Sequence, residues 1–95
     1  MGSYVIRIKV LPEDTTTDLQ KVVDSVKGKL PNFAQLRGHR VEPIAFGLSA
    51  IIMDFVAPEE EGTIDKVEAA VGSAPLVGQT ETMGVSRMSS KLPPQ

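Results

Sequence analysis

Ninety-five residues, 41% hydrophobic and 23% charged with a formal net charge of −2, describe one ordinary globular domain with room for a single core. The absence of cysteine excludes disulfides, thiolate metal sites and cysteine nucleophiles, and the near-neutral charge argues against broad attraction to polyanions. With no basic-then-apolar leader and no 18-residue apolar run, a cytoplasmic protein without a membrane segment is expected.

From Tyr4 to Leu11, Val5, Arg7 and Lys9 alternate with Ile6, Ile8 and Val10, the period of a half-buried strand. Pro12 ends it. Thr17 and Gln20 have the spacing of a capping box, and Leu19, Val22, Val23, Val26 and Leu30 then form one apolar stripe of a helix that Gly28 and Pro31 weaken and stop. Asn32 to Gly38 reads as a connection and Arg40 to Ile44 as a second strand, at an edge or strand end because Pro43 cannot donate to a ladder. Leu48 to Val56 is almost uninterruptedly apolar, as expected of a central strand covered on much of both faces. The acidic turn at Glu59, Glu60 and Glu61 leads to Thr63 as cap of a shorter helix with Ile64, Val67 and Val71 on one side. Val77 to Met88 alternates loosely, Thr80, Thr82, Gly84 and Ser86 against Met83, Val85 and Arg87, and supplies a last strand. Ser89 to Gln95 reads as a tail. The order β-α-β-β-α-β predicts an α+β, ferredoxin-like split sandwich, with two helices on one face of a four-stranded antiparallel sheet.

Chemistry-bearing motifs are scarce. The single histidine, His39, has no neighbouring nucleophile or second metal-ligating histidine, and the three adjacent glutamates lack the spacing of a calcium loop. No phosphate-cradling glycine motif occurs, so neither a catalytic residue nor a cofactor or metal site is assigned. RNA-recognition domains share the element order, and Lys27, Lys29, Arg37, His39 and Arg40 form a basic segment. A non-catalytic RNA-binding module is therefore an alternative, although the aromatic and basic series of that motif is missing from the third strand. A small-molecule or oligomerisation module using a bare sheet face is a third reading.

The stretch "EPIAFGLSAI", together with the opening strand ending "KVLPE" and the helix "TDLQKVVDSVKGKLP", resembles the guanine-nucleotide-exchange domain family of translation elongation factor 1-beta, in its archaeal form. The similarity runs from Tyr4 to about Met88, so 1–88 is taken as the exchange domain and 89–95 as a C-terminal tail. The resemblance implies a nucleotide exchange factor for the GTPase elongation factor 1-alpha, not itself an enzyme, with no direct nucleic-acid or membrane contact expected. It further implies partner-binding residues: Phe46, with Gly47, gripping the GTPase at one end, and a basic residue followed by an apolar one acting near its magnesium site at the other. Arg87 and Met88 fit that second pattern. Lys91 is a rival for the basic role, because this chain continues with "SSKLPPQ"; Arg87 is preferred for its place on the strand.

Overall fold

The computed structural model describes residues 2–89. Six elements follow in the expected order: β1 (Gly2–Pro12), α1 (Leu19–Lys29), β2 (Gln35–Pro43), β3 (Ser49–Pro58), α2 (Thr63–Gly72) and β4 (Val77–Ser89). The sheet order is β2-β3-β1-β4 with every neighbouring pair antiparallel, which is the ferredoxin-like arrangement.

The alternation of β1 is realised directly. Ile6, Ile8 and Val10 are buried with Ile51, Met53, Phe55 and Ala57 of β3 beneath Val22, Val23 and Val26 of α1 and Val67 and Val71 of α2. One face of each element is thus committed to a single core, whose burial is the main favourable term in folding. Ala50 and Ile52 are buried as well but belong to the opposite, helix-free face. Ile52 lies between Lys9 and Arg40 on its two cross-strand sides, so long basic side chains shield it where no helix does.

Four local expectations are corrected. The cap of α1 is Asp18, not Thr17: its carboxylate accepts the Gln20 N–H at 2.9 Å, while the Thr17 N–H already donates to the Asp14 carbonyl. Thr63 is not a cap but the first residue of α2 and is buried; Gly62, in the left-handed conformation at φ 81°, holds the cap position. The second strand begins at Gln35 rather than Arg40, because a register shift between Leu36 and Gly38 lets the chain keep pairing with β3 on both sides of Arg37. A comparable irregularity between Arg7 and Ile8 breaks the alternation of β4. Thr82 pairs with Ile8 and Gly84 with Arg7, so Met83 is the extra residue, and Thr82 shares its face with Val85 and Arg87 instead of opposing them.

β4 enters the sheet in close contact with the end of β1. A Cβ on Gly78 would stand 2.9 Å from the Pro12 carbonyl oxygen and 3.0 Å from the Glu13 Cα, both backbone atoms that cannot swing aside. Gly78→Ala is expected to cost about 1–3 kcal/mol through this overlap, read as a lower urea midpoint at unchanged slope.

Candidate partner-binding site

The β2–β3 connection is a tight hairpin. The Ile44 N–H donates to the Leu48 carbonyl and the Leu48 N–H to the Ala45 carbonyl, both at 2.9 Å. Between them Phe46 and Gly47 have φ of 55° and 78°, the pair of positive angles that marks a type I′ turn. Gly47 adopts this freely. Phe46 does not: a left-handed β-carbon-bearing residue costs about 1–2 kcal/mol, and this position ordinarily carries Asn, Asp or Gly. Nor does the ring recover that cost by burial, since Phe46 is 96% exposed. Ile44, two residues before it, and Val41, farther along β2, are exposed as well.

The opposite end of the sheet carries charge. Arg87 pairs in register with Tyr4, which pairs with Ala57 near the end of β3. At about 3.3 Å per residue, the eight steps from Ser49 to Ala57 put roughly 26 Å of sheet between the hairpin and Arg87. The guanidinium of Arg87 lies 3.2 Å from a Glu59 carboxylate oxygen, yet the arginine side chain is 74% exposed. Glu59 is anchored at this end by its N–H, which donates to the Gly2 carbonyl at 3.2 Å. An exposed pair of this kind contributes only about 0–1 kcal/mol, so Arg87 can leave Glu59 for another acid at small cost. Met88 follows on the strand opposite Ser3. Lys91 lies outside the described residues.

The fold therefore does not gather the expected site residues into one pocket. It sets Phe46 and Gly47 at one extremity and Arg87 and Met88 at the other. Glu59 was legible only as part of an acidic turn; that it reaches Arg87 depends on β4 lying beside β1.

Between the ends, the helix-free face carries a bidentate ion pair that sequence reasoning missed. Arg7 donates from Nε to Asp54 Oδ1 at 2.8 Å and from Nη2 to Oδ2 at 3.1 Å. The single acidic residue inside the apolar run of β3 was its only signal. The hydrogen bond from Arg7 holds the Asp54 carboxyl below its usual range, partial burial opposes this, and the nearby charges of Arg7, Arg37 and Arg40 add to it. A depressed folded-state pKa stabilises the fold above the ordinary aspartate pKa of about 3.9, and that contribution disappears as pH falls through the lower folded value. Urea midpoints measured from pH 5 downward should therefore fall less steeply in Asp54→Asn than in the parent chain. Among the described residues, no three metal-ligating side chains converge, and no helix is long and apolar enough to cross a membrane.

Fold and surface together define a small ferredoxin-like α+β sandwich whose exposed ring and exposed cation stand at opposite ends of one sheet. Residues 5–88 match the EF-1 guanine nucleotide exchange domain, and the chain belongs to that family. It is 36% identical over 90 residues to an elongation factor 1-beta of Staphylothermus marinus, covering 94% of this chain and all of the relative. The elongation factors 1-beta of Methanosarcina barkeri and Metallosphaera sedula are each 37% identical over 89 residues, covering 93% of this chain and 100% and 98% of theirs. The family expected from "EPIAFGLSAI" is the family found.

Proposed function

We propose that this chain is a translation elongation factor of the exchange type, which promotes GDP release and GTP reloading on the cytoplasmic GTPase elongation factor 1-alpha. The observation that carries the reading is Phe46: an aromatic ring 96% exposed, held in a conformation that costs the free protein energy, in a domain of the exchange family. Backbone strain retained at an exposed site is the mark of a residue kept for contact with something else. In this reading Phe46 enters an apolar pocket of the GTPase, where a buried aromatic anchor dominates interface energy. The sheet then acts as a rigid spacer that carries Arg87 to the region of the GTPase's magnesium ion.

GDP is held in a GTPase largely by phosphate contacts and that metal ion, whose charge offsets the phosphates. A guanidinium brought beside the cation site opposes Mg²⁺ by like-charge repulsion and offers hydrogen bonds to the acidic groups that would otherwise face the metal. The exchange factor needs only to bind the nucleotide-free GTPase more tightly than the GDP-bound one, and each ~1.4 kcal/mol of difference shifts the equilibrium tenfold. The coupling is reciprocal, so nucleotide rebinding expels the factor. Stopped-flow release of fluorescent GDP from purified elongation factor 1-alpha tests the reading. Release should accelerate with added protein and saturate; an unchanged rate with a folded sample would overturn it.

A further inference from the structure

The helix-free face carries a second feature that exchange does not use. A hollow of about 450 Å³, within the ~300–1,000 Å³ range of small-ligand sites, is lined by Arg7, Arg37, His39 and Arg40 over a floor that includes Ile52 and Asp54. Arg37 and Arg40 stand three positions apart on one strand, a spacing that in regular β-structure sends side chains to opposite faces. Here the irregularity between Leu36 and Gly38 makes Arg37 the unpaired extra residue, and both arginines line the same hollow. Bulges are over-represented at sheet edges, where β2 lies, and beside functional sites, where they re-aim a side chain.

The charge there is uncompensated. Among the described residues, Asp54 is bound by Arg7, and neither Arg37 nor Arg40 pairs with a carboxylate. Three guanidiniums thus face one carboxylate, leaving a local excess of two positive charges beside His39. Planar guanidiniums match tetrahedral and planar oxyanions, and a doubly charged phosphate group balances this excess where a single carboxylate does not. The hollow continues past Arg7 and Asp54 into a smaller one, about 300 Å³, whose remaining lining of Val5, Met83, Gly84 and Ser86 carries no charge. Aromatic platforms for stacked bases are missing from this face: Tyr4 and Phe55 pack with the core, Phe46 is at the hairpin, and Phe33 lies beneath Lys66 of α2.

We infer that the helix-free face binds the phosphate group of a small phosphate ester between Arg37 and Arg40, with the uncharged part of the ligand lying toward Gly84 and Ser86. The residues lie between the two ends of the sheet and the test needs no GTPase, so its fate is separate from that of the exchange reading.

The test is a titration of the ¹⁵N-labelled protein with inorganic phosphate, followed by backbone and arginine side-chain NMR shifts. Sodium acetate and sodium chloride at matched ionic strength serve as comparisons. Saturable shifts confined to Arg7, Arg37, Gly38, His39, Arg40 and Asp54 are expected. Arg37→Gln and Arg40→Gln should each weaken binding about tenfold, the loss of one charge-assisted contact, and the double variant should abolish it. Lys27→Gln, on α1, should leave binding unchanged. Equal shifts with acetate or chloride, or shifts that persist in the double variant, would overturn the inference. So would a single-stranded oligoribonucleotide that binds this face when phosphate does not.

Discussion

Phe46→Ala is expected to weaken binding to elongation factor 1-alpha by about 30- to 150-fold, the equivalent of about 2–3 kcal/mol for truncating an aromatic anchor, while the fold keeps its stability. The ring makes the second half of that expectation firm: at 96% exposure it contributes no burial that its removal could forfeit. A sharper result comes from Phe46→Gly. Glycine takes the φ of 55° without the steric cost of a β-carbon, so the variant should unfold at a higher urea concentration, by up to about 1 kcal/mol, and still bind the GTPase poorly. Stability and binding would then move in opposite directions from one substitution, which a residue serving only the hairpin would not produce. Urea unfolding and isothermal titration with the purified GTPase read the two quantities. If Phe46→Gly binds as tightly as the parent chain, the anchor assignment is wrong.

Arg87→Ala should leave GTPase affinity within a few-fold and slow factor-promoted GDP release by roughly two orders of magnitude, as expected when a charge acts on the transition out of the bound state rather than on docking itself. The exposed pair with Glu59 defines a control. Removing Arg87 breaks a contact worth at most about 1 kcal/mol, so the fold should unfold at nearly the same urea concentration, and any large kinetic effect belongs to the GTPase complex. Arg87→Lys keeps the charge and loses the planar fork, so partial rescue of the release rate would separate repulsion of Mg²⁺ from hydrogen bonding to its ligands. Lys91→Ala measured beside them decides between the two basic residues. A full loss in Lys91→Ala with none in Arg87→Ala would move the role to the tail.

Much of this architecture was legible without coordinates because two periodicities carry it. The alternation through Ile6, Ile8 and Val10 marks which face of β1 meets the core, and the stripe through Val22, Val23 and Val26 marks the face of α1 that covers it. Both follow from local geometry, in which a residue's neighbours on the chain already determine its face. The misassigned caps are instructive for the opposite reason. Thr17 and Thr63 have suitable side chains, but capping depends on backbone angles set by the preceding turn, and those turns place Asp18 and Gly62 at the helix starts. The alternation of β4 failed where a bulge added Met83 to one strand and to nothing opposite it.

By itself the chain's order of residues determined the element sequence, the faces that form the core, the family and the two end residues Phe46 and Arg87 as candidates. Only the tertiary structure decided that roughly 26 Å of sheet separates those two, that Arg7 meets Asp54 across 47 residues, and that Arg37 and Arg40 share a face. The division is physical. Periodicity is a property of one segment, whereas strand order, register and the position of a bulge are set by several segments pairing and packing at once.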